Sequence, residues 1–214
     1  MLTDAGIWVT DGEPWIGTPR RGLLLDRDGV LVKETNYLHR REDVVLEPGA
    51  IDLLAWANAR AIPVCVITNQ AGIARNLYGW EEYRAVEHEI DQRLAGRGVS
   101  LDLTVACPFH PDFTEAYGEI HAYWRKPGPG MFLLAADRLA LDLAESWMIG
   151  DKESDMAAAK AAGLRRSIHM LSGHGLSERD AATRLESERF QVLPASNIPE
   201  AIGILDAHWN GNDD

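Results

Sequence analysis

Asp26 and Asp28 stand two residues apart, just after the apolar run Leu23-Leu24-Leu25 and just before Gly29. Carboxylates at the carboxyl end of a buried strand suit a nucleophile, a proton donor and a hard metal ion. The glycine lets the backbone turn sharply there. This is equipment for phosphoryl transfer. An Asp-Gly turn after a core strand is the plainer reading, and the segment alone leaves both open.

Three later segments have the same form. Thr68-Asn69-Gln70-Ala71-Gly72 follows the apolar stretch Val64-Cys65-Val66-Ile67. Its hydroxyl and backbone N–H groups can hold phosphate oxygens, although by itself it reads equally as a Thr-Asn turn. Arg125-Lys126-Pro127-Gly128-Pro129-Gly130 places an ammonium beside a proline that restricts its backbone, or else forms a solvated basic loop. Trp147-Met148-Ile149-Gly150-Asp151-Lys152-Glu153-Ser154-Asp155 ends a strand with a third carboxylate. Asp155 also suits a helix N-terminus, where it complements the dipole. Together these segments constrain one another. If Asp26, Asp28 and Asp151 converge, two unit charges at 4 Å repel by about 4 kcal/mol at an effective dielectric of 20. Such a cluster needs a cation or takes up protons. Oxygen ligands near phosphate point to Mg²⁺ rather than zinc, and a lysine balances the remaining charge.

The elements that must position these groups alternate. Strand-like runs fall at 23–25, 63–68, 101–106, 147–149, 167–171 and 190–193. Amphipathic helical stretches fall at 50–60, 80–95, 129–141, 154–162 and 198–209. This order predicts an α/β fold, a Rossmann-like doubly wound parallel sheet covered on both faces. Ligands sit outside the carboxyl ends of such strands, where all four segments lie. The division expected is an N-terminal extension at 1–21, a single domain at 22–209 and a tail at 210–214, with 1–17 and 210–214 the ends expected to fray.

The chain has 214 residues, 46% hydrophobic and 25% charged, with 33 Asp and Glu against 21 Lys and Arg for a net charge of −12. Such a surface repels nucleic acid and anionic membrane, so neither is expected as a partner. A small phosphorylated substrate is still compatible, because local charge can oppose the global sign. Residues 1–17 lack the basic start of a secretory signal, and no apolar run approaches the ~20 residues of a membrane span. Cys65 and Cys107 do not suggest a disulfide framework. The expectation is a soluble cytoplasmic protein; its oligomeric state is not legible.

The ordered set Asp26-Arg27-Asp28-Gly29-Val30, Thr68-Asn69-Gln70, Arg125-Lys126-Pro127 and Gly150-Asp151-Lys152-Glu153-Ser154-Asp155 resembles the haloacid dehalogenase (HAD) superfamily of phosphohydrolases. With Ala71-Gly72-Ile73-Ala74-Arg75, Cys107-Pro108, His110-Pro111 and Pro129-Gly130-Met131, it is similar to the D-glycero-D-manno-heptose 1,7-bisphosphate phosphatase and histidinol-phosphatase subfamily. The resemblance implies that Asp26 is the nucleophile, forming an aspartyl-phosphate, and that Asp28 protonates the leaving alcohol and then activates water. It implies that Asp26 and Asp151 ligate Mg²⁺ by side chain, with Asp28 giving its backbone carbonyl. Thr68 and Lys126 would hold the transferring phosphoryl group. Asn69, Gln70, Ala71, Arg125 and Lys152 would line the substrate site, beside a substrate loop of Glu34, Thr35, Asn36 and Tyr37. The activity implied is a Mg²⁺-dependent sugar phosphatase, on heptose bisphosphate; alternatives are a histidinol-phosphate or other small phosphomonoesterase, and a non-catalytic binding protein on the same scaffold.

The sequence departs from the subfamily at its zinc loop. Where many members have Cys-x-His and Cys-x-Cys, this chain reads Cys107-Pro108-Phe109 and Ala122-Tyr123-Trp124. Only Cys107 is left as a ligand, so a structural zinc is not expected, and aromatic packing is expected in its place. The spacing also leaves no length for a large cap domain, so the site should be open, screened by segments 33–43 and 108–124. An open site suits a sugar phosphate whose far end reaches Arg125 or Arg75, although Arg75 also reads as a helix-surface charge.

Overall fold

The structure is a computed structural model that describes residues 1–10, 12 and 14–209. Asp11, Glu13 and the expected tail 210–214 lie outside the described residues. The elements run β1 (Trp8–Val9), β2 (Leu23–Leu25), α1 (Ala50–Asn58), β3 (Val64–Asn69), α2 (Ala71–Ala74), α3 (Trp80–Ala95), β4 (Leu103–Cys107) and α4 (Glu119–Trp124). They continue with α5 (Gly130–Leu139), β5 (Trp147–Gly150), α6 (Glu153–Ala161), β6 (Arg166–Met170), α7 (Gly175–Thr183), β7 (Gln191–Ala195) and α8 (Ile198–Trp209). The strands form one sheet in the order β1-β4-β3-β2-β5-β6-β7. All pairings are parallel except β1 with β4. The expected α/β doubly wound parallel sheet is therefore what the chain forms.

The three consecutive leucines of β2 follow from a sheet buried on both faces. Side chains alternate across a strand. Leu23 and Leu25 join the layer of α1, α3 and α8, packing with Leu53, Val86, Ile90 and Leu205. Leu24 joins the opposite layer of α5 and α6, with Met131, Phe132, Met156 and Ala159.

The N-terminus departs from expectation. Residues 1–17 were expected to fray, yet Ile7, Trp8 and Val9 are buried, and Trp8 and Val9 pair with Ala106 and Val105 of β4. Trp8 packs edge-on against Tyr83 at 5.2 Å. A two-residue strand carries too little periodicity to be read from sequence. Among the described residues, no helix is long and apolar enough to cross a membrane.

Candidate active site

Sheet register brings the carboxylates together. β2 and β5 are parallel neighbours, with Leu25 beside Ile149, so Asp26 and Asp151 leave the same sheet edge. Asp155 reaches that point from the first turn of α6. One oxygen from each of Asp26, Asp151 and Asp155 lies within 4.8 Å of the others, and all three residues are buried. Lys126, 3% exposed, faces them. Its Nζ lies 2.9 Å from Asp26 Oδ1 and 2.6 Å from Asp155 Oδ1, and donates to the Ile67 carbonyl at 2.7 Å.

Charge is unevenly distributed in this cluster. Burial works against the Asp26 anion. The Lys126 and Lys152 charges and the hydrogen bonds from Lys126 and the Arg27 N–H (2.8 Å) outweigh it, and Asp26 is held below the usual carboxylate range. Burial, then the Asp26 charge, pushes Asp151 up to about 7. Burial lifts Asp155 to about 6, with Lys126 opposing the rise and Asp26 adding to it. Asp151 Oδ2 accepts the His174 N–H at 2.8 Å, whereas its buried Oδ1 accepts no hydrogen bond. An all-oxygen, over-charged set with an unpaired acceptor fits a hard divalent cation such as Mg²⁺. Gly29 (φ +90°) and Gly173 (φ +54°) close around Asp151. A Cβ on either would stand 2.6 or 2.2 Å from Asp151 Oδ2, so only glycine fits.

The convergence considered for the side chains of Asp26, Asp28 and Asp151 is corrected in one respect: the Asp28 carboxylate is not part of the cluster, because Arg27 and Gln70 hold it, while its backbone carbonyl, the group that the resemblance assigns to the metal, is a separate matter. Asp155 is the third carboxylate of the cluster. It accepts the Lys152 N–H at 3.1 Å, as a helix-start acid should, and pairs with Lys126 as well.

The other expected residues divide into two sets. Asp28, Asn69, Gln70, Ala71, Arg125 and Lys152 line one cavity of about 300 Å³ together with Glu34, Asn36 and Tyr37. Asn36 and Tyr37 both hold positive φ (54° and 69°), a strained conformation in the loop that walls the cavity. Thr68 is buried, its hydroxyl accepting from Gln70 Nε2 at 2.8 Å. Asn69 clamps the backbone of Lys126 from both sides, Nδ2 to its carbonyl at 3.0 Å and Oδ1 from its N–H at 3.1 Å. Glu34 Oε2 sits 3.5 Å from both Lys152 Nζ and His174 Nε2.

Sequence reading missed Arg27, Glu87 and the turn Ser172-Gly173-His174. The last lies at the end of a further strand, β6, and a glycine after that strand was the available signal. Arg75 is more than a surface charge: its guanidinium lies 4.1 Å from the Phe113 ring and 5.7 Å from that of Tyr37, with Nη2 3.3 Å from His110.

Loop 108–124 is held by rings and hydrogen bonds. Phe109 meets His121 edge-on at 4.5 Å, Tyr117 stacks on His121 at 5.5 Å, and Arg125 donates to the Phe109 carbonyl at 2.9 Å. Burial pushes the Cys107 thiol up to about 12. Among the described residues, the one group of three or more metal-capable side chains is the aspartate cluster, so Cys107, His110 and His121 do not converge.

This fold and site define a HAD-type phosphohydrolase scaffold, and the HAD-hydrolase-like family model matches residues 123–194. The D-glycero-beta-D-manno-heptose-1,7-bisphosphate 7-phosphatase of Mesorhizobium japonicum is 40% identical over 164 residues, 76% of each chain. The protein of that name from Yersinia pestis is 36% identical over 180 residues, 84% of this chain and 94% of its own. Among solved structures, a HAD-like phosphatase from Mesorhizobium loti superposes with a TM-score of 0.80 at 34% identity, over 96% of this chain and 94% of that one. The D,D-heptose 1,7-bisphosphate phosphatase of B. bronchiseptica, complexed with magnesium and phosphate, superposes with a TM-score of 0.75 at 26% identity, over 88% and 99%. The chain belongs to the HAD superfamily, in the family of the D-glycero-D-manno-heptose 1,7-bisphosphate phosphatases.

Proposed function

We propose that this protein is a Mg²⁺-dependent phosphatase that hydrolyses D-glycero-D-manno-heptose 1,7-bisphosphate through an aspartyl-phosphate intermediate. The observation that carries this reading is the buried cluster of Asp26, Asp151 and Asp155 opposite Lys126, whose chain neighbours Asp28, Arg125 and Lys152 line a cavity. Asp26, kept anionic by Lys126, attacks phosphorus. As the bond to the sugar oxygen breaks, Asp28 gives that oxygen its proton. The Asp28 carboxylate then takes a proton from water, the water oxygen bonds to phosphorus, and the bond to Asp26 breaks to release phosphate. Thr68 and Lys126 hold the oxygens of the transferring group. Asp26 and Asp151, with the Asp28 carbonyl, would hold Mg²⁺, which supplies charge neutralisation for those oxygens when bound. Arg125 and Lys152 offer cations to the rest of a bisphosphate. Two free, buried cysteines and an acidic surface suit the cytoplasm.

Phosphate release from heptose bisphosphate, measured beside histidinol phosphate with Mg²⁺ present, tests the reading. Turnover of the first, lost in Asp26→Asn and in excess chelator, is expected. Preference for histidinol phosphate would overturn the substrate, and full activity in Asp26→Asn would overturn the mechanism.

A further inference from the structure

Arg27 is 1% exposed, yet it lies in the segment that carries the two catalytic aspartates. Its guanidinium grips Asp28 with two donors, Nε to Oδ2 at 3.2 Å and Nη2 to Oδ1 at 3.1 Å. Its Nη1 donates to Glu87 Oε1 at 2.9 Å, and Glu87 is itself buried in α3. Nη2 also reaches Gln70 Oε1 at 3.1 Å. Gln70 completes the frame. It donates to Asp28 Oδ2 at 3.1 Å and to the Thr68 hydroxyl at 2.8 Å, while Tyr78 donates to its Oε1 at 2.6 Å. The Tyr83 ring backs the guanidinium at 5.4 Å.

We infer that Arg27, braced by Glu87, is a positioning residue that fixes the Asp28 carboxyl toward the cavity. The inference rests on the proposed role of Asp28 as proton donor and acceptor. A two-point fork fixes both the place and the plane of a carboxylate, which a single point charge does not. Asp28 and Arg27 both border the cavity, but Arg27 is almost wholly buried and its guanidinium donors are engaged by Asp28, Glu87 and Gln70, so the fork acts on proton transfer through the Asp28 carboxyl. Glu87 matters because a buried guanidinium with one anionic partner fewer would shift toward Asp28 or draw in water. Proton transfer is intolerant of such shifts, since misplacement by about 1 Å costs on the order of 100-fold in rate.

Two variants test this. Arg27→Lys keeps the charge and loses the fork, whereas Glu87→Gln keeps the shape and loses the bracing charge. On heptose bisphosphate, kcat is expected to fall on the order of 10- to 100-fold in Arg27→Lys and less in Glu87→Gln, with KM within about threefold of wild type. 4-Nitrophenyl phosphate separates the two half-reactions, because its aryl oxide leaves without needing a proton. The variants should release about one nitrophenolate per active site in a burst, then turn over slowly while water attacks the phosphoenzyme. If circular dichroism shows Arg27→Lys unfolded, Glu87→Gln decides. Unchanged kcat, a rise in KM that accounts for the lost efficiency, or slowed turnover without a burst would overturn the inference. If the wild type releases no phosphate, or Asp26→Asn stays active, the functional proposal and this inference fall together. If Asp26→Asn is dead while both variants keep wild-type kcat, this inference alone falls.

Discussion

Asp151→Asn should stabilise the protein while destroying its metal site. The Asp151 carboxyl is raised from its ordinary 3.8 to about 7, first by burial and then by Asp26. At about 1.36 kcal/mol per pH unit, the folded state above pH 7 carries a penalty of about 4 kcal/mol, a ceiling for what asparagine can recover. The sign follows from linkage. Below pH 3.8 the group is protonated whether the chain is folded or not, and the term vanishes. Between 3.8 and 7 only the unfolded chain ionises, so stability falls as pH rises. Above 7 both states ionise and the penalty is constant. Asparagine can keep the acceptance from the His174 N–H and turn an N–H toward the neighbouring carboxylates, where the unpaired Oδ1 now lies. In chelator, urea titrations from pH 4 to 8 should show the variant gaining about 0.5 kcal/mol at pH 4 and up to the ceiling at pH 8, with melting shifts on the order of 10 °C. Mg²⁺ at about one thousand times Kd should erase the advantage, because only the wild type gains binding energy, about 4.1 kcal/mol at that concentration. A stability difference that stays flat across this pH range would refute the reasoning.

Gly173→Ala places a methyl 2.2 Å from Asp151 Oδ2 at a φ of +54°, so it should cost about 1–3 kcal/mol and weaken Mg²⁺ binding, read by calorimetric titration. Arg75→Ala removes the ring contacts that join loop 108–124 to the Tyr37 loop. KM for the bisphosphate should rise several-fold in steady-state assays, with a change in folding stability of about 1 kcal/mol or less. Trp8→Ala vacates a buried site against Tyr83 and should cost about 3–5 kcal/mol in urea unfolding. Because Tyr83 backs Arg27, that variant should also lower kcat.

The parts of the fold legible in the sequence were those with long or doubly buried patterns. The helices at 80–95 and 198–209 coincide with α3 and α8, since each has a full amphipathic face. β2 is only three residues long but was legible because all three are apolar. α2, α4, α7 and β1 were not, since two to nine residues of weak pattern do not separate from loop. At the site, residue types showed which groups could act, but not which way their side chains turn. The side chain of Asp155 joins the carboxylate cluster and that of Asp28 does not, for a reason set by tertiary contacts. Arg27, adjacent to Asp28, draws it aside, while Lys126, distant in sequence, draws Asp155 in. Asn69 shows the same limit. The resemblance sets it in the substrate site, and it does line the cavity, yet both ends of its amide also hold the backbone of Lys126, which residue type alone does not show.

The double hold of Asn69 on Lys126 has a consequence for how the enzyme comes into being. Asp26 leaves the ribosome long before the lysine that balances it, and longer still before Asp151. A nascent chain therefore cannot assemble the acidic cluster early and trap a stray cation in a half-built site. The amine is seated only once the segment before α5 docks onto the end of β3. The site needs segments spread from residue 26 to residue 155 at once, so products truncated before them should be chemically inert rather than partly active.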